Sequence, residues 1–478
     1  MSISFLAALL AYCEENISPF HTPGHKQGRG MALDFQRAWQ QWGLKLDIDP
    51  PVLVGSEGAT LPLALLAEAE SKAAELFGGK ATFFLTNGTT AGIQSMFLGA
   101  IKDRKVIIPR HIHYSVLGAL ILSGANPVIL PPKAKNSELP DSRLTPEQVQ
   151  QVLSSDSEIA GVFTQNPTYF GFADDLQDLI HIAHAAGIPV LVDEAHGPHF
   201  AFSSELPPTA LSQGADLVAQ STHKLLTSLT GSSMLHLGGT LIDPEEISRY
   251  VEITQSTSPS FLLLASLESA VYQLAADGQG LVTQVLELAY DLRRQLAEVQ
   301  GIKVYGSIEA QAEGYPYWDP TKVVIDFSPS GLGGVEALNI LREEYKIQGE
   351  MADFSRVLLV LGPGDDRDSI ACLKPILTDL VARYKRSPGR TTIPLPGYSS
   401  QQVLTPREAY FAPGVTLSLK ESIGKVAAQL VAPYPPGIPI LIPGEVITVE
   451  QIEYLKELAC SGFQVTGLTE QAEIRVVK

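Results

Sequence analysis

The spacing of hydrophobic positions changes along the chain, and the changes mark out its elements. From Leu61 to Phe77 apolar residues recur at helical intervals among Ala and Glu. Short apolar runs then alternate with helical stretches. Strands are predicted at Ala81–Leu85, Lys105–Ile108, Pro127–Leu130, Ile159–Phe163, Pro189–Val192, Leu217–Gln220 and Ser233–Leu237. Helices are predicted at Thr89–Ile101, Val116–Leu122, Thr145 to Ser154 and Leu176–Ala186. Thr145 reads as a cap, with Pro146 in the first turn and Glu147 behind it. This alternation predicts an α/β fold: a mainly parallel sheet covered by helices on both faces. Such sheets bind ligands beyond the carboxyl ends of their strands.

Helical spacing dominates from Pro259 to Gln300, as Leu262–Ala276 and Leu281–Val299 with a break at Asp277-Gly278. A second α/β unit follows: strand Lys322–Phe327, helix Val335–Glu344, strand Val357–Leu361, helix Ser369–Tyr384. Arg386–Gly397 reads as a linker, and the tail to Lys478 is rich in proline. The expected division is an N-terminal arm (1–50), a large domain (51–300), a small α/β domain (301–385) and a C-terminal domain (386–478). In the arm, Phe5–Ala11 reads as an amphipathic helix. Pro19-Phe20-His21-Thr22-Pro23-Gly24-His25-Lys26-Gln27-Gly28 reads as a stiff polar hairpin outside the core. It is either a surface loop or a segment reaching into a site, its own or a neighbouring subunit's.

Composition narrows the function. A length of 478 residues supports two or three domains around a large core. A net charge of -18 argues against nucleic acid or an anionic membrane as partner. Cys13, Cys372 and Cys460 are odd in number and far apart, so neither a disulfide framework nor a zinc ribbon is expected. Phe5–Ala11 is too short to span a bilayer and lacks a basic flank, which points to a cytoplasmic protein.

Four stretches at strand-to-loop transitions carry candidate chemistry. In Ser221-Thr222-His223-Lys224, a lysine sits between apolar pairs and small hydroxyl residues. Desolvation there would lower its pKa and free the amine as a nucleophile toward carbonyls; alone, it also reads as a lysine snorkelling to water. Thr86-Asn87-Gly88-Thr89-Thr90-Ala91-Gly92 opens a helix and reads as a phosphate site or as a simple cap. No GxxxxGK[ST] or GxGxxG run is present, which disfavours a nucleoside triphosphate or a Rossmann dinucleotide. Asp193 ends an apolar strand in Asp193-Glu194-Ala195-His196-Gly197-Pro198-His199, where its carboxylate needs a cationic partner. A structural salt bridge or a metal held by Asp193, His196 and His199 are the alternatives, the metal ranking low. His113, in Arg110-His111-Ile112-His113-Tyr114-Ser115, is placed either to stack on a flat ring or in a solvated loop. A phosphate site, a stacking histidine, a strand-end aspartate and a desolvated lysine are needed together by one ligand, pyridoxal 5'-phosphate.

With these residues in hand the chain resembles the Orn/Lys/Arg decarboxylases, the group III pyridoxal-phosphate decarboxylases of the aspartate-aminotransferase fold (fold type I). The likeness lies in Ser221–Lys224 followed by Thr227-Ser228 and Ser232-Ser233, in Phe20–Gly28, Asn87–Thr90, Asn166–Gly171, Asp193–Gly197, Ser256–Ser260, Thr405–Ala409 and Tyr434–Glu445. It implies a large domain with a seven-stranded sheet plus smaller α/β C-terminal domains. Lys224 would hold the cofactor's aldehyde as a Schiff base. Asp193 would pair with the ring nitrogen, His113 would stack on the ring, and His196 would lie beside the cofactor. Gly88, Thr89, Thr90, Ser221 and His223 would surround the phosphate. Thr257 or Ser258 would reach a neighbouring subunit's phosphate in a homodimer or homotetramer with shared sites.

The implied reaction is α-decarboxylation of a basic L-amino acid (arginine, lysine or ornithine, leaning to arginine) to a polyamine-pathway amine. Lys224 or His223 would return the proton, with His113 also at the reacting centre. Glu350 and Glu445 are candidates for the substrate's distal cation. Gly231 stands where the signature usually has Gln. The chain leaves no room for a receiver-like N-terminal domain, so the large rings associated with it are not expected. Another fold-type I enzyme, such as an aminotransferase or a lyase, and a catalytically silent homologue are the rival readings.

Overall fold

The computed structural model describes residues 18–42, 60–132, 143–387, 401–434, 438–461 and 463–478. The predicted helix at Phe5–Ala11 and most of the predicted linker Arg386–Gly397 lie outside the described residues. The seven strand predictions all pair into one sheet. With the arm strand Ser18–Phe20 as β1, they are β2 (Ala81–Leu85), β3 (Lys105–Pro109), β4 (Asn126–Leu130), β5 (Ile159–Gln165), β6 (Val190–Asp193), β7 (Leu217–Gln220) and β8 (Ser233–Leu237). Their order is β2-β8-β7-β6-β5-β3-β4. Only β8 runs antiparallel to its neighbours, β2 and β7.

The period of two along these strands explains why both faces are covered. Phe84, Ile107, Val162, Val190, Val192, Val218 and Met234 point into one core. Their chain neighbours Leu85, Val106, Ile108, Phe163, Leu191, Leu217 and Leu235 point into the other. The chain order β3, β5, β6 and β7 brings their carboxyl ends to one edge, where the candidate residues collect. Helix starts follow the caps: Thr145 accepts from the Gln148 amide, and Gln148, not Glu147, closes the capping box.

The long helical stretch Phe261–Leu296 is kinked where predicted, with Asp277 at φ −157°, ψ 47°. It leads to a four-stranded antiparallel sheet of Lys303–Val304, Lys322–Asp326, Arg356–Val360 and Met351–Ala352, with its own core around Val323, Ile325, Val357 and Leu359. The single helix expected over Ser369–Tyr384 is two, Arg367–Ala371 and Leu373–Tyr384, meeting at Cys372. The proline-rich tail builds a further core around Val431, Leu441, Ile452, Leu455 and Val476.

The arm differs from the polar hairpin expected. β1 pairs in parallel with Ile347–Gly349, and Lys26 is fully buried. Its ammonium donates to the carbonyls of His21 (2.8 Å) and Val360 (2.7 Å). These two carbonyls, with the buried Asp365 carboxylate 3.9 Å away, let the ammonium sit inside, because a buried ammonium must spend its donors and pair its charge. Among the described residues, no helix is long and apolar enough to cross a membrane.

Candidate active site

The β6 strand carries Asp193 to the carboxyl edge of the sheet, level with Gln165 of β5. The aspartate is buried, and its Oδ1 accepts from the Ala195 amide at 3.0 Å. Burial pushes its pKa up, and the charge of Lys224 pulls it back. The adjacent Glu194 is buried too and pushed up to about 8 by desolvation. It braces the loop by accepting from the Ala210 amide and from Gln220 Nε2, each at 2.7 Å.

Strand β7 ends at Gln220, Ser221 follows as the N-cap, and Lys224 lies in the single helical turn Thr222–Leu225. Its side chain keeps some surface, yet the amine is desolvated. Burial lowers its pKa, opposed by Asp193 and Glu350. Its Nζ is 3.0 Å from His196 Nε2.

The candidate phosphate corner lies where the helix Gly88–Met96 begins. Its N-cap, Asn87, makes no side-chain capping bond. The Thr89 hydroxyl meets that of Ser221 and lies 2.9 Å from that of Ser233. These hydroxyls at a helix N-terminus suit an anion. Gly88 contributes shape rather than its amide, since its N–H donates to the Gly231 carbonyl at 2.7 Å. Gly231 has φ +91°, and a Cβ there would meet nothing closer than 3.9 Å. Backbone conformation, not crowding, is therefore what selects glycine where the signature usually has Gln. Thr90 is exposed on the outer side of the turn. Thr257 and Ser258 lie in an exposed loop between helices Pro244–Thr254 and Phe261–Leu296.

The histidines divide by orientation. His113 caps the helix Tyr114–Ser123, with Nδ1 at 3.2 Å from the Ser115 amide and 2.8 Å from its hydroxyl. Burial, then the charge of Lys224, brings it down to about 4, so it presents a neutral ring. His223 turns its Nδ1 to the Ser232 carbonyl at 2.7 Å, while its own carbonyl accepts from the Gly24 amide of the arm. Burial lowers it to about 4 as well. His196 is buried between lysines, and its ring lies 4.5 Å from that of Tyr169.

Lys322 and Tyr169 were given no role of their own in the sequence, and Glu350, read there as a candidate for the distal cation, joins them. Lys322, read only as a strand residue, puts its Nζ 2.7 Å from His196 Nδ1 and 5.8 Å from the centre of the Tyr169 ring. Tyr169 donates to Glu350 Oε1 at 2.5 Å, and the Thr22 amide donates to Glu350 Oε2 at 2.8 Å. Burial pushes the Glu350 carboxyl up, and these two hydrogen bonds, then the charges of Lys322 and Lys224, bring it below its usual range. A lysine opening a wholly apolar strand, Lys322-Val323-Val324-Ile325, was the signal available. Glu445 stands elsewhere: it pairs with Arg110 Nη2 at 3.2 Å and accepts from the Ile442 amide at 2.9 Å, both buried. It anchors the C-terminal segment and is committed to that role. Among the described residues, no group of three or more His, Cys, Asp or Glu side chains could hold a metal ion.

A flat, phosphorylated aldehyde fits this donor set. The hydroxyl-lined helix start offers a phosphate corner. A buried carboxylate would be relieved by a protonated ring nitrogen, and an enclosed amine awaits a carbonyl.

Comparison with known proteins agrees in kind. The family described as Orn/Lys/Arg decarboxylase, major domain, matches residues 4–369, and Orn/Lys/Arg decarboxylase, C-terminal domain, matches 398–473. The chain is 36% identical over 469 residues to an arginine decarboxylase of Bacillus subtilis (strain 168), covering 96% of this chain and 94% of that one. It is 24% identical to the constitutive lysine decarboxylase of Escherichia coli (strain K12), covering 97% and 78%. In fold it is similar to the solved E. coli constitutive lysine decarboxylase, with TM-score 0.74 at 23% identity over 99% of this chain and 82% of that one. It is also similar to an alanine–glyoxylate aminotransferase from Nostoc sp., with TM-score 0.58 at 17% identity over 76% and 95%.

Proposed function

The chain belongs to the Orn/Lys/Arg decarboxylase family, pyridoxal-phosphate-dependent carboxy-lyases acting on basic amino acids, and on that premise we propose that it converts L-arginine to its amine and CO2 with Lys224 as the cofactor-bonding lysine. The observation that carries this reading is the desolvated Lys224 amine facing the buried Asp193 at the carboxyl edge of the sheet, beside the Thr89 and Ser221 hydroxyls. Arginine is favoured over lysine because the arginine decarboxylases match at 34–36% over nearly their whole length, the lysine decarboxylase at 24%.

The bound cofactor supplies a protonated ring that accepts the electron pair of the breaking Cα–carboxylate bond. The protein's part is positioning and proton control. Asp193 keeps the ring nitrogen protonated. His113, neutral at working pH, packs on the ring without adding charge. Thr89 and Ser221 hold the phosphate. Lys224 would give up its place at the cofactor to the substrate's amine and return a proton to Cα. His223, with Nδ1 turned to Ser232, serves the loop and the arm better than it serves Cα, which favours Lys224 over His223 as the donor. A homodimer in which Thr257 or Ser258 reaches the partner's phosphate completes the reading, since in one chain these residues are exposed.

The test is CO2 release from L-arginine, L-lysine and L-ornithine by the cofactor-loaded protein. Arginine is expected to exceed the others in kcat/KM by more than about tenfold. Equal or greater turnover of lysine would overturn the substrate assignment, and keto-acid formation without CO2 would overturn decarboxylation.

A further inference from the structure

His196 stands between two lysines that reach it from different parts of the fold. Lys224 comes from the turn after β7, with Nζ 3.0 Å from Nε2. Lys322 is the first residue of strand Lys322–Asp326 in the second sheet, with Nζ 2.7 Å from Nδ1. His196 and Lys322 are both fully enclosed. An ammonium has three donors and no acceptor, whereas a neutral imidazole has one of each. The ring can serve both amines only by accepting at one nitrogen and donating at the other. The amine that receives must then be uncharged. The ring is itself neutral, because burial and the charges of both lysines hold its pKa well below the ordinary value.

Which amine carries the charge follows from what faces each. Burial brings Lys322 down to about 8, Asp319 and Glu350 favour its charged form, and Lys224 and Lys26 oppose it. Lys224 is favoured by Asp193 and Glu350; its nearby histidines, His113 and His223, are neutral. Asp193 is the carboxylate assigned above to the cofactor's ring nitrogen. Once so engaged, it leaves Lys224 only the Glu350 that both lysines share, while Lys322 keeps Asp319. Asp319 is fixed for this by His199 Nε2 at 3.1 Å and the Thr321 hydroxyl at 2.7 Å.

We propose that Lys322 is a positioning residue that, through His196, fixes the imidazole proton on Nε2, holds Lys224 as the free amine and replenishes its proton. Decarboxylation consumes one proton. The Cα–carboxylate bond breaks and CO2 leaves. The Nε2 proton of His196 passes to Lys224 Nζ as Nδ1 takes one from Lys322 Nζ, and the Lys224 ammonium so formed gives its proton to Cα and returns to the free amine. Between turnovers a solvent proton entering at Nε2 sends the Nδ1 proton back to Lys322. The inference rests on Lys224 being the cofactor-bonding lysine.

The test titrates the visible absorbance of the lysine-bound cofactor in the loaded holoenzyme, without substrate, in wild type, Lys322→Met and Lys322→Arg. Removing a positive charge one imidazole away should raise the midpoint by about one to two pH units in Lys322→Met, with Lys322→Arg returning toward wild type. An unchanged midpoint in loaded Lys322→Met overturns the proposal. If Lys322→Met fails to fold or load, nitrogen NMR of histidine-labelled wild-type holoenzyme decides, with His196 assigned by its loss in His196→Gln. A proton on Nε2 alone supports the relay, and a proton on Nδ1 overturns it. A wild type that takes up no cofactor would overturn the underlying reading and the relay with it.

Discussion

Asp193 shows how one residue's environment sets its task. Burial pushes its pKa up, and the charge of Lys224 opposes that. A carboxylate balanced in this way gives up little to face a new cation. Asp193→Asn keeps the shape and removes the charge, so the protein should still fold and take up cofactor while turning over poorly. Losing one partner of a buried charged pair costs about 2–5 kcal/mol, or roughly 30- to 4,000-fold in kcat. A kcat within threefold of wild type would show that Asp193 does not face the ring nitrogen. Asp193 and Lys224 were legible in the sequence because each ends an apolar strand or follows one. Lys322 was not: a lysine at a strand start ordinarily snorkels, and only the fold brings it to His196 across 126 positions.

At the scale of elements, the proposed phosphate corner is held by the bond between the Gly88 amide and the Gly231 carbonyl, two glycines with φ of +69° and +91°. Gly231→Ala adds a methyl into open space, so its whole cost is the left-handed backbone, about 1–2 kcal/mol. Cofactor affinity should fall by about five- to thirtyfold, measured by equilibrium dialysis, with far-ultraviolet circular dichroism unchanged. Unaltered affinity would separate this turn from cofactor binding. The seven strands of the large sheet were readable because each is a short apolar run between clear helical stretches. The arm strand was not. Three residues, Ser18–Phe20, carry no period, and their place is fixed by pairing with Ile347–Gly349 far along the chain. The same pairing delivers Thr22 to Glu350 and Gly24 to the His223 carbonyl, so an apparent surface loop becomes a wall of the site.

For the whole molecule, the buried Arg110–Glu445 pair joins the end of β3 to the C-terminal segment. Arg110→Ala leaves Glu445 enclosed without its cation, a loss of about 3–5 kcal/mol. The expected result is a lower denaturant midpoint and early proteolysis within residues 401–478, and resistance equal to wild type would contradict it. Glu445 read as a substrate ligand in the sequence because a glutamate closing a family motif gives no hint of which arginine it will meet.

Protonation adds a second test at this scale. His236 of β8 is buried against Thr82 and Gln220, and burial holds it at about 3. Its folded pKa lies below the unfolded value, so its contribution is present above pH 6.5 and is lost as pH falls toward 3. Glu70, pushed up to about 7, and Glu194, pushed up to about 8, act in the opposite sense, favouring the fold as pH falls. A single-site comparison isolates the histidine. From pH 6.5 down to pH 4, His236→Gln should gain on wild type by about 1.4 kcal/mol per pH unit in unfolding free energy. A constant difference across that range would mean His236 is not buried neutral.

Two desolvated lysines, Lys224 and Lys322, flank one imidazole, and only one of them can bond the cofactor. Borohydride reduction of the loaded protein followed by peptide mass spectrometry decides this directly. The reduced cofactor should be found on the peptide containing Ser221-Thr222-His223-Lys224, and Lys224→Ala should lose both that mass and the visible absorbance. The same mass on Lys322, or a Lys224→Ala protein that keeps its absorbance, would contradict the account.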